Sequence, residues 1–203
     1  KTWYLDASRP ELGFGQLDPD CFNGHARVID REARAINLDP DSLAEKSVIS
    51  VFLLQGDGRR MTGTVQLSPG QYAAQHLREL YRGQGIGAVQ SAVAASLPAG
   101  FHPGNFQVDS VLLTEEPLAI RFDLDWTPDS TRLIFLDPLF GQGLRENPFR
   151  SPRRLYPVEM PYTLDETFML QIELPPGYEL DELPQQTLIR LNENNDGIFE
   201  YRI

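Results

Sequence analysis

The sequence predicts an α+β fold that is mainly β: an antiparallel sheet with two helices, followed by a β-sandwich-like module. Three observations predict this class. Most apolar segments alternate apolar and polar residues, as strands with one buried face do. Two segments in the middle of the chain instead have the apolar spacing of amphipathic helices. Turn-forming residues recur between the segments, and the chain of 203 residues contains 16 Gly and 16 Pro.

Residues 1–46 are predicted to be mostly extended and looped, because Pro, Gly and Asp recur along them. Two short strands are expected in this region. Thr2–Leu5 is apolar and aromatic, and it ends at the polar turn that begins with Asp6. Ala26–Ile29 is the second predicted strand.

Residues 47–128 are predicted to form a hairpin–helix–helix–hairpin module. Gln55-Gly56-Asp57-Gly58 is typical of the turn of a β-hairpin. Two amphipathic helices on one face of an antiparallel sheet would bury a shared core. The predicted strands are Val48–Leu54, Arg60–Leu67, Asn105–Leu113 and Leu118–Trp126.

The two helices have recognisable start and stop signals. Ser68 is a favourable N-cap, Pro69 suits the first helical position, and Gln71 is placed to complete a capping box. The glycine-rich run Gly83–Gly87 ends this helix. Ala88–Leu97 is predicted to be a second, weaker helix.

From residue 129 onward the sequence predicts only strands and turns, as a β-sandwich-like module. Thr167–Leu174 alternates, and Pro175-Pro176-Gly177 follows it as a turn. Thr187–Leu191 and Ile198–Ile203 are predicted to be strands joined by the hairpin turn Asn192–Gly197. The domains predicted from these patterns are therefore residues 1–46, 47–128 and 129–203.

Charge and hydropathy exclude several classes of partner. The chain carries 18 basic and 29 acidic residues, which is a formal net charge of −11. Nucleic acids and anionic membranes bind basic surfaces, so neither is predicted as a partner. No apolar run approaches the ~18 residues of a membrane span. The first residue is Lys1 rather than methionine, so we expect a processed or excised piece of a longer protein.

No metal ion and no cofactor is predicted. The single cysteine and the three separated histidines do not have the spacing of a zinc site. Asn192–Gly197 resembles the start of a calcium loop, but Ile203 occupies the position of the required glutamate. The glycines of Gly83–Gly87 follow a helix rather than a strand, which favours a helix–helix linker over a phosphate loop.

Two further groups of residues have a functional and a structural interpretation. Cys21 and His25 lie four residues apart, but no local feature marks them as a catalytic pair. Cys21 is therefore predicted to be a small buried hydrophobic side chain. Arginines near Tyr156 could bind a carboxylate or phosphate, but in an acidic chain they more often pair with its own carboxylates. These arginines are Arg150, Arg153 and Arg154.

Asp6 follows a predicted strand, and a carboxylate in that position can orient the histidine of a Cys-His-Asp triad. Asp is common at strand ends, so its candidate catalytic role comes from a resemblance. The run Tyr4-Leu5-Asp6-Ala7-Ser8 resembles the segment that closes transglutaminase-like cysteine hydrolase domains, in which this Asp is the third triad member. In that family the Cys and the His precede the Asp. Cys21 follows Asp6, so the resemblance does not make it the nucleophile, and Asp6 would be a triad member without its partners.

Other segments resemble a group of Bacteroidetes-type proteins with a central transglutaminase-like domain and a C-terminal domain of unknown function. Near the N-terminus these segments are Gly13-Phe14-Gly15 and Cys21-Phe22-Asn23-Gly24. In the C-terminal part they are Asn147-Pro148-Phe149, residues 154–162, residues 174–180 and Leu183-Pro184.

The resemblance implies a non-catalytic C-terminal region of an exported protein, in the periplasm or at the cell surface. Its expected partner is the catalytic domain of the parent protein, and the chain alone is expected not to be an enzyme. An alternative is a cell-envelope module that binds glycan or peptide through exposed aromatic residues. The candidates are Trp3, Tyr156, Tyr162 and Tyr178. A hydrolase that uses paired carboxylates is disfavoured, because no Asp/Glu pair has a distinctive setting.

Overall fold

The computed structural model describes residues 2–55, 60–128, 133–140, 142–143, 146, 150–151, 153, 155 and 160–203, with Gln55 described by its backbone. It forms two compact units, Lys1–Glu173 and Leu174–Ile203. The described part is mainly β with two α-helices, which confirms the predicted fold class. Neither helix has the length and apolar character needed to cross a membrane, within the residues searched.

A five-stranded mixed sheet is the centre of the first unit. Its strands lie in the order β5-β6-β4-β3-β7, and every neighbouring pair is antiparallel except β3 and β7, which are parallel. A separate hairpin, β1 with β2, precedes it. The strands are β1 (Gly24–Arg27), β2 (Ala35–Leu38), β3 (Ala44–Gln55), β4 (Met61–Ser68), β5 (Phe101–Asp109), β6 (Ala119–Trp126) and β7 (Thr163–Ile172).

One face of this sheet carries the core. Val51 of β3 lies opposite Val65 of β4, and Val65 lies opposite Phe122 of β6. All three side chains are buried, because they point toward the helices α1 (Gln71–Gln84) and α2 (Ile86–Ser96). The alternation predicted for residues 118–126 is confirmed, since Leu118, Ile120, Phe122, Leu124 and Trp126 are all buried.

The start of α1 differs from the prediction. Ser68 is the last residue of β4, and the N-cap position belongs to Gly70, which has no side chain to cap the helix. The backbone N–H groups of Tyr72 and Ala73 instead donate to the carboxylate of Glu45, at 3.0 and 2.9 Å. A helix leaves its first N–H groups without partners inside the helix. Here a buried carboxylate from β3 accepts two of them, which replaces the local capping box.

Gly70 makes this contact sterically feasible. A Cβ atom at residue 70 would lie 2.3 Å from Cδ of Glu45, which is far inside van der Waals contact. The φ angle of Gly70 is −66°, which any residue can adopt. The glycine is therefore required by the close approach of Glu45 rather than by backbone conformation.

The helix–helix linker is confirmed. The N–H of Gly85 donates to the carbonyl oxygen of Tyr81 at 2.7 Å, and its φ of +81° lies in the left-handed region that favours glycine. The second helix begins at Ile86, two residues earlier than predicted, and ends at Ser96.

A buried arginine attaches the β5–β6 connection to α1. Nη2 of Arg78 donates to the carbonyl oxygens of Leu113 at 3.0 Å and Glu116 at 2.7 Å, with a longer contact to Ser110. Burial lowers the pKa of this guanidinium group. Its three carbonyl acceptors lie in one connection, so a single side chain orders that segment.

Two predicted strands need correction. Thr2–Leu5 is not a strand, because no described strand pairs with it and all four residues are exposed. The strand predicted at Ala26–Ile29 is β1, which begins at Gly24 and ends at Arg27. There Asp30 accepts from the N–H groups of Glu32 and Ala33 and turns the chain.

The C-terminal strands lie in both units. β7 contains the predicted inward side chains of Phe168, Leu170 and Ile172, which pack against the core of the first unit through pairing with β3. In the second unit β8 (Thr187–Arg190) pairs with β9 (Ile198–Tyr201) as the predicted hairpin. The predicted domain boundaries after residues 46 and 128 stay predictions.

Replacing Gly70 with alanine should destabilise the protein by about 1–3 kcal/mol, because the new Cβ would displace the Glu45 carboxylate. The measurement is the free energy of unfolding from denaturant titration. Gly83→Ala in the same helix is the matched control, since a Cβ there meets nothing within 4 Å. It should be neutral or stabilise by up to ~1 kcal/mol.

The loss caused by Gly70→Ala should shrink in a Glu45→Ala background, in which the obstructing carboxylate is gone. An equal loss in both backgrounds would contradict the steric explanation.

Candidate functional site

Asp6 lies in a closed loop that its own carboxylate holds together. Its Oδ1 accepts from the N–H of Ser8 at 2.8 Å and from the Ser8 hydroxyl at 2.6 Å. Its Oδ2 accepts from the N–H of Asp18 at 3.2 Å, with the Cys21 thiol 3.8 Å away. The hydrogen bonds from Ser8, followed by the one from Asp18, lower the pKa of the Asp6 carboxyl.

Asp18 continues this arrangement. Its carboxylate accepts from the N–H of Asp20 at 3.0 Å and thereby caps the short 3-10 helix Pro19–Cys21. Its other oxygen accepts from Nε of Arg9 at 3.0 Å. The two carboxylates therefore fix the path of the chain between Asp6 and Cys21.

The same loop is attached to α1. Glu11 is buried and pairs with Arg82 at 3.2 Å, and Arg9 lies 3.7 Å from the carboxylate of Glu79. The N–H of Phe14 donates to Glu115 in the β5–β6 connection at 2.6 Å. The N-terminal segment is thus packed on the first unit rather than extended away from it.

The environment of Cys21 disfavours a nucleophilic role. Burial raises the pKa of its thiol, and the carboxylates of Asp6 and Asp18 raise it further. A reactive cysteine needs the opposite setting, with a cation or a basic imidazole close by. Cys21 is half-buried rather than buried as predicted, and the carboxylates near it do not favour a thiolate.

The three histidines do not complete a triad with Asp6. His25 lies on β1, His76 on α1 and His102 on β5, and all three side chains are exposed. The four donors that Asp6 binds come from Ser8, Asp18 and Cys21. Asp6 thus has no imidazole to orient within the described part of the chain.

Tyr72 and Tyr162 form an aromatic stack close to Glu45. Their ring centroids are 5.1 Å apart with an interplanar angle of 20°. Burial, with a contribution from the Glu45 carboxylate, raises the pKa of Tyr72 to about 12. Burial and the Glu45 carboxylate also raise the pKa of Tyr162. Both phenols stay protonated at neutral pH, so neither is suited to act as a general base.

The candidate aromatic residues do not share one environment. Trp3 is 51% exposed, and its ring lies 5.5 Å from that of Phe14, which is 59% exposed. Tyr162 is half-buried against Tyr72, and Tyr178 lies in the second unit. Tyr156 lies outside the described residues.

The remaining motifs have structural roles where the structure describes them. Asn192 accepts from the N–H groups of Asn194 and Asp196, as expected for a hairpin turn. Arg150 pairs with Glu146, as predicted for an acidic chain. Arg154 and the predicted motif at residues 147–149 lie outside the described residues. No group of His, Cys, Asp and Glu suited to a metal ion occurs among the residues searched.

An apolar cavity of about 80 Å³ lies between the sheet and α2. Small-molecule sites usually measure roughly 300–1,000 Å³ and contain several convergent polar groups. Apolar side chains form most of this cavity, including Val51, Val93, Phe122 and Phe140. Its size and composition therefore do not match those of a small-molecule site.

A known family matches the C-terminal part of the chain. The model of DUF3858, described as a domain of unknown function with solved structure, matches residues 131–203. This finding confirms the prediction of a C-terminal domain of unknown function. No curated protein and no solved structure matches the chain.

Sequence reasoning missed Glu45, Gly70 and Arg78. Glu45 lies 27 residues before its partner Tyr72, and Arg78 lies 38 residues before Glu116. Contacts between residues so far apart in the chain leave no recognisable local pattern in the sequence. The one available signal was Pro69-Gly70 directly before an amphipathic segment that has no side-chain cap at residue 70.

Cys21 should react with iodoacetamide at pH 8 several-fold more slowly than free cysteine, because its raised pKa leaves less thiolate. Asp6→Asn should accelerate the reaction, since it removes the carboxylate with the largest electrostatic effect on the thiol. The measurement is the alkylation rate by mass spectrometry. Asp41→Asn is the control, because Asp41 is not among the carboxylates that raise this pKa. Equal rates for the Asp6→Asn variant and the unmodified protein would contradict the prediction.

Proposed function

We propose that this chain is the non-catalytic C-terminal accessory region of an exported transglutaminase-like protein, in the periplasm or at the cell surface. In this proposal the chain supports or positions the catalytic domain of the parent protein. The motifs of the chain resemble those of Bacteroidetes-type transglutaminase-like proteins. We infer the parent protein, its location and the partner domain from this resemblance.

The observation that carries the proposal is the setting of Thr2–Asp6. Thr2–Leu5 has a strand-like composition, and its four residues are exposed and lie outside the described strands. Asp6 follows it directly, and its hydrogen bonds hold it at the end of that segment. A strand supplied by another domain would bury the exposed residues of Thr2–Leu5, and it would place Asp6 at the border of the two domains.

The chemistry of the chain also supports a non-catalytic role. The one thiol has a raised pKa, and the histidines are dispersed over three separate elements. Acyl transfer through a cysteine needs a thiolate, a base and an orienting group in contact. The match of residues 131–203 to a domain of unknown function is consistent with the predicted order of domains, in which such a domain follows the catalytic one.

The proposal predicts that the parent protein carries a Cys and then a His before Asp6, and that Asp6→Asn lowers amine-transfer or peptide-hydrolysis activity about 10²–10⁴-fold. The activity is measured on the parent protein. Asp41→Asn is the control and should retain activity, because its carboxylate lies outside the Asp6 loop. The present chain alone should be inactive. Thiol-dependent activity in this chain that is lost on Cys21→Ala would contradict the proposal.

A second candidate is a cell-envelope binding module for glycan or peptide. The exposed pair of Trp3 and Phe14 favours it, since exposed aromatic rings can stack on sugar rings or apolar side chains.

Under this alternative, cell-wall glycan fragments or peptides should change the tryptophan fluorescence of the chain, because Trp3 is exposed whereas Trp126 is buried. Trp3→Ala should abolish binding measured by calorimetry, and Phe52→Ala, an exposed aromatic on the sheet face, should not. Equal binding by both variants would exclude the Trp3 site.

A further inference from the structure

The two edges of the five-stranded sheet differ in their ability to accept another strand. β5 forms one edge, and its regular pairing with β6 shifts between Gly104 and Gln107. Pro103 lacks an N–H donor, and Asn105 has a φ of +50°. Prolines and bulges of this kind protect an edge from pairing with other chains.

β7 forms the other edge and has no such protection. It runs for 10 residues without a proline or a glycine. The N–H of Thr163 donates to Leu43 and the N–H of Glu173 donates to Leu53, so the odd-numbered residues point their backbone groups toward β3. The even-numbered residues therefore point theirs outward. No other described strand pairs with them.

The apolar layer of the sheet continues to this open edge. Leu170 and Ile172 lie beside Val51 and Leu53, which are 2% and 0% exposed. At the edge, Leu170 and Ile172 are only half-buried. Leu164 on the same strand is 58% exposed. One more strand beside β7 would bury these side chains as β7 buries those of β3.

We propose that β7 pairs antiparallel with β7 of a second copy of this chain, so that two sheets join into one across a two-fold axis at Phe168. A two-fold axis requires self-complementary surfaces. In this register the outward-pointing residues face each other in hydrogen-bonding pairs. These pairs are Leu164 with Ile172, Glu166 with Leu170, and Phe168 with Phe168 of the other copy.

Charge and the length of pairing favour this register over its neighbours. With the axis at Phe168, Asp165 lies opposite Gln171 and Glu173 lies opposite Thr163, so no carboxylate faces another. With the axis at Met169, Asp165 would lie opposite Glu173. With the axis at residue 166, the two copies of Glu166 would face each other. Like charges directly opposite each other destabilise a sheet. With the axis at Thr167, the two copies of Glu166 would be diagonal neighbours on one face of the sheet. With the axis at Leu170, only residues 168–172 of β7 would pair.

An axis between two residues is also excluded. It would pair even-numbered with odd-numbered residues, so that inward-facing side chains on one copy would lie opposite outward-facing ones on the other. It would also align outward-pointing backbone groups with groups already bonded to β3. The register at Phe168 satisfies the backbone, the apolar layer and the charges together.

The first test is the mass in solution, by light scattering and sedimentation over about 1–200 µM, because dimerisation follows mass action. The expected result is a concentration-dependent rise toward twice the 22.9 kDa of one chain. Glu166→Pro should abolish the rise, since it removes an outward N–H without removing a bond to β3. Glu166→Ala is the matched control and should keep the dimer, because it keeps the N–H.

The second test reports the register and does not depend on a tolerated proline. Thr167 and Met169 are exposed and would lie opposite each other across the axis at Phe168. In a Cys21→Ser background, Thr167→Cys with Met169→Cys should form intermolecular disulfides under mild oxidation, at the ~4.5 Å Cα separation of such pairs. The variants with only Thr167→Cys or only Met169→Cys should form at least ten-fold less crosslinked dimer than the double-cysteine variant.

Two results would overturn the proposal. One is the mass of a single chain at every concentration together with no crosslinking of the double-cysteine variant. The other is a dimer that persists unchanged in Glu166→Pro, since the contact would then lie elsewhere on the molecule.

Discussion

The contact between Glu45 and the start of α1 determines how the helices sit on the sheet. Glu45 lies at the beginning of β3, the strand that pairs with both β4 and β7. A buried carboxylate is costly unless it is hydrogen-bonded, and the N-terminus of a helix supplies both donors and a favourable dipole. Each group therefore satisfies the other. Gly70 leaves the space that this contact needs.

The N-terminal segment depends on the same helix. Arg9 and Glu11 form ion pairs with Glu79 and Arg82 of α1. The N–H of Asp18 donates to the Asp6 carboxylate, and this bond closes the loop from Asp6 to Asp18. Carboxylates in this region accept hydrogen bonds from backbone N–H groups and from guanidinium groups. They therefore order the chain without a large apolar core. This arrangement explains why a segment rich in Pro, Gly and Asp is nevertheless built into the first unit. It also places carboxylates around the only thiol of the chain, and these carboxylates together with burial raise the pKa of that thiol.

The alternation of residues 118–126 was sufficient to predict which side chains are buried, and the glycine run after residue 82 was sufficient to predict the break between the helices. Thr2–Leu5 shows where the same reasoning fails. Its composition is typical of a strand, but strand formation also needs a neighbouring strand, which composition does not specify. The same is true of the candidate site. Asp6 could be proposed from the resemblance of residues 4–8 to a family motif, whereas its contacts with Asp18 and Cys21 could not be predicted.

The sequence by itself determined the fold class, the helix–helix break, the acidic charge and three of the described hairpins, because each depends on residues close together along the chain. The hairpin of β1 and β2 was not predicted. Only the tertiary structure decided that β7 joins β3 in parallel, that Glu45 caps α1, and that Arg78 orders the β5–β6 connection. These contacts join residues far apart in the chain. Hydrophobic periodicity specifies which face of a strand or helix is buried, but it does not specify the partner against which that face is buried.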